Sequence, residues 1–167
     1  RDRSPSRGLG DVYKRQDMVQ CPPMGGLCVK KKQEKAARWK TFGIAALLWA
    51  GLAAAFSALF PAEAAAPAGL AGVLRNCLVL PVAEELIFRG AALRLLQPLG
   101  KNAAIAGQAV LFAAMHGSWT AKAYALGMGL IFGWAADRAG SLLPGLVLHI
   151  LNNGIVLADC LAERGIP

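Results

Sequence analysis

The sequence predicts an all-α fold, a polytopic transmembrane bundle of about five helices. Three observations carry that reading. The 167-residue chain is 56% hydrophobic with only 17% charged residues, and its mean hydropathy is +0.44. Soluble domains average about 25% charged residues. The apolar residues gather in runs of helical length, with none of the alternation that a barrel strand shows. The basic residues crowd at one end: residues 1–40 hold eleven cations and four acids, residues 41–167 seven and six. The net charge of +8 thus describes a tail, and it speaks against a nucleic-acid-binding domain. Cys21, Cys28, Cys77 and Cys160 form neither a C-x-x-C pair nor a zinc-finger spacing, so no disulfide framework is expected.

The order of elements follows from the runs and their breaks. Residues 1–40 read as a disordered basic tail, polar and without hydrophobic periodicity at its start. Its first 16 residues resemble adaptor sequence found at the ends of assembled gene fragments, with Met18 or Met24 as candidate starts. The cluster Lys30–Lys40 lies directly before an apolar run, the position of a positive-inside determinant. Thr41–Phe60 is a twenty-residue uncharged span, and Pro61 and Pro67 break it, giving a first helix and loop over 41–67. The core then occupies 68–160. Its spans are Ala68–Leu96, Asn102–His116, Ala121–Ala136 and Leu142–Cys160. Gln97-Pro98-Leu99-Gly100, Gly117-Ser118 and Ala139-Gly140-Ser141 separate them. With the Lys30–Lys40 cluster inside, Arg94, Lys101 and Arg138 also fall inside, and only Lys122 and Arg164 outside. The N-terminus is therefore expected in the cytoplasm, and the short loops and Ala-rich composition suggest a bacterial inner membrane.

Polar groups interrupt these spans at three places: Glu84-Glu85-Leu-Ile-Phe-Arg89, Phe112-Ala-Ala-Met-His116 and His149-Ile-Leu-Asn152-Asn153. A charged group at the bilayer centre costs at least ~2.5–3.5 kcal/mol, so such residues face a polar cavity with partners and a task. At ~1.5 Å per residue, Glu84, His116 and His149 all reach depths near the middle of a ~30 Å core. Glu85 with Arg89, Phe112 with His116, and His149 with Asn153 are i,i+4 pairs that share helix faces. A carboxylate beside an imidazole suits general-base activation of water, and an amide or imidazole suits a developing oxyanion. No Ser or Cys stands beside a base at triad spacing, so a covalent route is not indicated. Glu84, His116 and His149 would also make an acceptable zinc set, so the sequence leaves a metal open and assigns no cofactor firmly.

The three motifs Glu-Glu-x-x-x-Arg, Phe-x-x-x-His and His-x-x-x-Asn, in this order and followed over 84–89, 112–116 and 149–153, resemble the CPBP (Abi) family of intramembrane proteases. That family includes CAAX prenyl endopeptidases and bacteriocin-processing or immunity proteins. Ser141-Leu-Leu-Pro144 before the last motif adds to the likeness. The resemblance implies endopeptidase activity on a membrane-associated protein or peptide, with the lipid bilayer and no nucleic acid as the other partner. It implies Glu84 as the principal base, Glu85 and Arg89 as its support, His116 as a ligand of the water or a metal, and His149 and Asn153 completing the site. Two alternatives stand beside it: a catalytically silent immunity or scaffold protein on the same fold, and a proton-coupled carrier. Arg75 is assigned no catalytic role, and Trp39 and Trp49 are expected as interface anchor and packing residue.

Overall fold

In the computed structural model the described residues are 24–60 and 69–163, and among them there are five helices and no strand. The reading of residues 1–23 as a tail, both candidate breaks at Pro61 and Pro67, and the start at Met18 lie outside them. By internal contacts the chain divides into Arg1–Glu34 and Lys35–Pro167, and the bundle belongs to the second unit.

The first helix, α1, runs Met24–Leu59. It therefore begins within the stretch expected as a disordered tail. Lys30-Lys-Lys-Gln-Glu-Lys-Ala-Ala-Arg38 consists of strong helix formers, so once Thr41–Leu59 is helical the helix extends backwards at little cost. Thr41, Ala45 and Trp49, spaced four residues apart, form its buried stripe. Lower down, Phe56 packs on Tyr124 at 5.2 Å between ring centroids. Ile44, Leu47 and Leu48 face outward.

The second helix, α2, is continuous over 69–96 but not uniformly α. Arg75–Val79 and Glu85–Ala92 are π-helical, with α segments Gly69–Leu74, Leu80–Glu84 and Leu93–Leu96 around them. Pro81 accounts for the first: it has no N–H to give the Cys77 carbonyl, and the ladder shifts so that Leu80 N–H donates to Arg75 O. At the end of the second, Leu93 N–H donates to Phe88 O. Helix α3 spans Lys101–Ala114, α4 Trp119–Ala139 and α5 Leu143–Glu163. Ser118 caps α4 by accepting from Ala121 N–H at 3.1 Å. The break residues expected at 117–118 and 139–141 are where helices end.

Helices α3 and α4 meet through Gly129, where a Cβ would lie 2.8 Å from Ala109 Cα. This close approach brings the Gln108 side chain, fully buried, within 2.7 Å of Gly129 O, to which its Nε2 donates. Small residues that let helix backbones touch are the usual device for association in lipid.

The distribution of polarity is inverted relative to a soluble domain. Leu47, Leu70, Leu95, Met115 and Trp119 are all more than 70% exposed, whereas Glu85, Arg89, Gln108 and His149 are at most 3% exposed. Such a surface is at home only in hydrocarbon, and the chain is a membrane protein. Two of its helices, over Glu34–Leu59 and Leu143–Ala162, are long and apolar enough to cross a bilayer on their own. Helix α3, at fourteen residues, is about 21 Å long, shorter than a ~30 Å core.

Candidate active site

The polar interior is built where α2 and α5 face each other. Glu85, on the π segment of α2, is buried to 1% exposure, and its Oε1 takes two partners. Arg89 Nη1 lies 3.1 Å away one turn on, and His149 Nδ1, from α5, lies 3.0 Å away. The Arg89 guanidinium is fully enclosed, 4.3 Å above the Phe112 ring and 5.6 Å from that of Phe132. Two aromatic faces and one carboxylate thus surround a buried cation.

The neighbouring glutamate has another environment. Glu84 is 30% exposed and faces a cavity of about 290 Å³, its Oε2 3.4 Å from His149 Nε2. The imidazole therefore sits between two carboxylates, one locked and one open. With Nδ1 donating to Glu85, Nε2 faces Glu84 and the cavity, and a proton shared between Nε2 and the Glu84 carboxyl satisfies that contact.

Gly145, one turn before His149, makes room for this arrangement. A Cβ there would stand 2.8 Å from Glu85 Oε2 and 3.3 Å from Phe132 Cβ. Gly145→Ala is expected to push the Glu85 carboxylate off His149 and to lower stability by about 1–3 kcal/mol, the usual cost of overpacking. Thermal unfolding in detergent measures the stability, and a rise in turnover or in melting temperature would contradict the packing described.

His116 lies in the turn after α3, because the helix ends at Ala114, two residues before it. Its relation to Phe112 is thus not a shared helix face. The ring packs edge-on against Phe112 at 4.9 Å, and its Nδ1 is 3.0 Å from Phe112 O. A carbonyl can only accept, so Nδ1 carries a proton, and in the neutral ring Nε2 is the acceptor. His116 lines the same cavity as Glu84 and His149, together with Asn153 from α5 and Asn76 and Cys77 from α2.

Asn153 is held on both sides. Its Nδ2 donates to Asn76 O at 2.8 Å, a carbonyl within the first π segment, and its Oδ1 accepts from Asn152 Nδ2 at 3.2 Å. Asn152 Oδ1 in turn accepts from Trp49 Nε1 at 3.2 Å and Tyr124 Oη at 2.6 Å.

Glu84, Glu85, Arg89 and His149 are thereby brought into one contiguous group, with His116 and Asn153 on the same cavity. As a metal set Glu84, His116 and His149 fit less well: among the described residues no three His, Cys, Asp or Glu side chains gather closely enough to hold an ion. Asn152, Asn76, Gln108, Tyr124 and Gly145 carried no role in the sequence reading, and Trp49 was assigned to packing alone. The signal for three of them was present, since Asn76, Gln108 and Asn152 are uncharged polar residues inside apolar runs.

A family model described as Type II CAAX prenyl endopeptidase Rce1-like matches residues 65–155, more than half of the chain. The chain belongs to that Rce1-like family. No curated protein and no solved structure matches it significantly. The matched region of this Rce1-like chain holds all three motifs, from Glu84 to Asn153, and leaves α1 with Trp49 outside. The family is one of membrane-embedded proteases.

Proposed function

We propose that the protein is an intramembrane endopeptidase that hydrolyses a peptide bond with water activated by Glu84. The observation that carries this reading is the division of labour between two adjacent glutamates across one histidine. Glu85 is buried and neutralised by Arg89, so it orients His149, while Glu84 is left open to the cavity. Water held by Glu84 and the His116 Nε2 lone pair would lose a proton to Glu84 as its oxygen attacks the carbonyl carbon. The resulting oxyanion would accept from the Asn153 Nδ2 hydrogen that Asn76 does not use. Collapse breaks the C–N bond, and the proton held by Glu84 and His149 passes to the leaving amine. Water is consumed, and a carboxylate and an amine leave. In this reading Glu84 acts without a metal, which the chelator arm of the assay tests.

The family name supports a prenylated C-terminal CAAX segment as the substrate class, and the apolar surface of the bundle suits a lipid-modified peptide that arrives within the bilayer. The flanking cations support a multi-pass arrangement in a bacterial inner membrane with the N-terminus in the cytoplasm, where the exposed Lys35, Arg38 and Lys40 would meet anionic lipid. No nucleic acid is implied.

Purified protein is to be assayed against farnesylated and unmodified CAAX peptides, beside His149→Ala, with and without a chelator. Cleavage of the farnesylated peptide that is lost in His149→Ala and unchanged by chelator is expected. Full loss on chelation would replace the glutamate route with a metal-dependent one, and equal rates in His149→Ala would remove the site from the chemistry.

A further inference from the structure

We infer that Asn152 is a positioning residue, the middle link of a chain of hydrogen bonds that runs from Trp49 on α1 to Asn153 at the cavity wall. The direction of this chain is set at its ends. An indole Nε1–H can only donate and the Asn76 carbonyl can only accept. Trp49 therefore gives to Asn152 Oδ1 at 3.2 Å, and Tyr124 adds a second donor at 2.6 Å. Asn152 must then present Nδ2 to Asn153, whose Oδ1 lies 3.2 Å away. With its oxygen occupied, Asn153 turns its own Nδ2 to Asn76 O at 2.8 Å. Reversing either amide would set donor against donor at Trp49, or acceptor against acceptor at Asn76. The ordinary ambiguity of an Asn side chain is absent here.

The consequence is functional only because Asn153 lines the cavity with Glu84 and His149. A donor to an oxyanion contributes most when its orientation is fixed before the reaction. Asn152, at 7% exposure, is out of reach of substrate, so it acts through its neighbour. The chain also gives α1 a share in the site, although Trp49 lies outside the matched family region. Trp49 does more than fill space: it fixes which end of an amide two hydrogen bonds away faces the reacting group.

This inference rests on the protease reading, and the test separates the two. Asn152→Asp keeps both acceptor bonds, to Trp49 and Tyr124, and so keeps the ties to α1 and α4, but it has no hydrogen for Asn153 Oδ1. Its kcat on a farnesylated peptide is expected to fall about tenfold or more, with KM within about twofold of wild type and the melting temperature retained. The double variant Trp49→Phe/Tyr124→Phe leaves the Asn152 donor in place and removes both groups that orient it. A lower kcat at unchanged KM is expected there too. Wild-type kcat in Asn152→Asp would overturn the inference. So would a misfolded Asn152→Asp combined with wild-type kcat in the double variant, or an effect confined to KM. No cleavage by wild type would overturn the protease reading and this inference with it.

Discussion

Glu84→Gln should lower turnover by about 10²–10⁴-fold, the range expected for loss of a general base, while leaving the folded protein intact. The asymmetry follows from exposure. Glu84 is 30% exposed, and it contacts His149 Nε2 at 3.4 Å. Gln is isosteric and can still fill that place, so little packing is lost. What disappears is the ability to take a proton from water. Melting temperature in detergent and kcat on a farnesylated peptide, measured on the same preparation, check the two halves. A variant that unfolds would make Glu84 structural, and one that cleaves normally would move the base elsewhere.

Glu85→Leu should have the opposite profile, with a large loss of stability. Removing this carboxylate leaves Arg89 buried between Phe112 and Phe132 without the carboxylate that contacts it, and breaking a buried pair from one side costs about 3–5 kcal/mol. Arg89→Met on the Glu85→Leu background should then restore most of the stability, because an apolar pair of similar volume replaces two desolvated charges. Activity should not return. His149 Nδ1 would still lack its acceptor at 3.0 Å, and the ring would no longer be held with Nε2 towards Glu84. Thermal unfolding and turnover of the two single variants and the double variant test this. Recovery of both stability and turnover in the double variant would show that the Glu85–Arg89 pair only holds the helix together.

The parts of the fold legible in the sequence are those set by local composition. Charge-free runs and Gly/Pro breaks place the five helices within a few residues, and the first starts earlier than expected because Lys, Glu and Ala continue a helix that apolar residues begin. The π segments of α2 were signalled only by Pro81, and a single shifted residue leaves the hydrophobic pattern nearly unchanged. Glu84, Glu85, Arg89, His116 and His149 could be singled out because an ionisable group in a span is costly. Their unequal roles could not, since adjacent residues of one type differ only in what the other helices bring to them. His116 illustrates the same limit: its spacing from Phe112 reads as a helix face, yet the chain has already turned. Asn152, Trp49 and Gly145 act through partners on α1, α4 and α2, and such pairings exist only after the bundle has closed.

The most direct measurement is cleavage of a farnesylated CAAX peptide by the wild-type protein in liposomes, read by mass spectrometry of the released C-terminal fragment, beside Glu84→Gln in the same lipid. Release by wild type and none by a folded Glu84→Gln is the expected result. A folded wild type that releases nothing, or a Glu84→Gln variant that releases the fragment at the wild-type rate, would contradict glutamate-driven hydrolysis at this site.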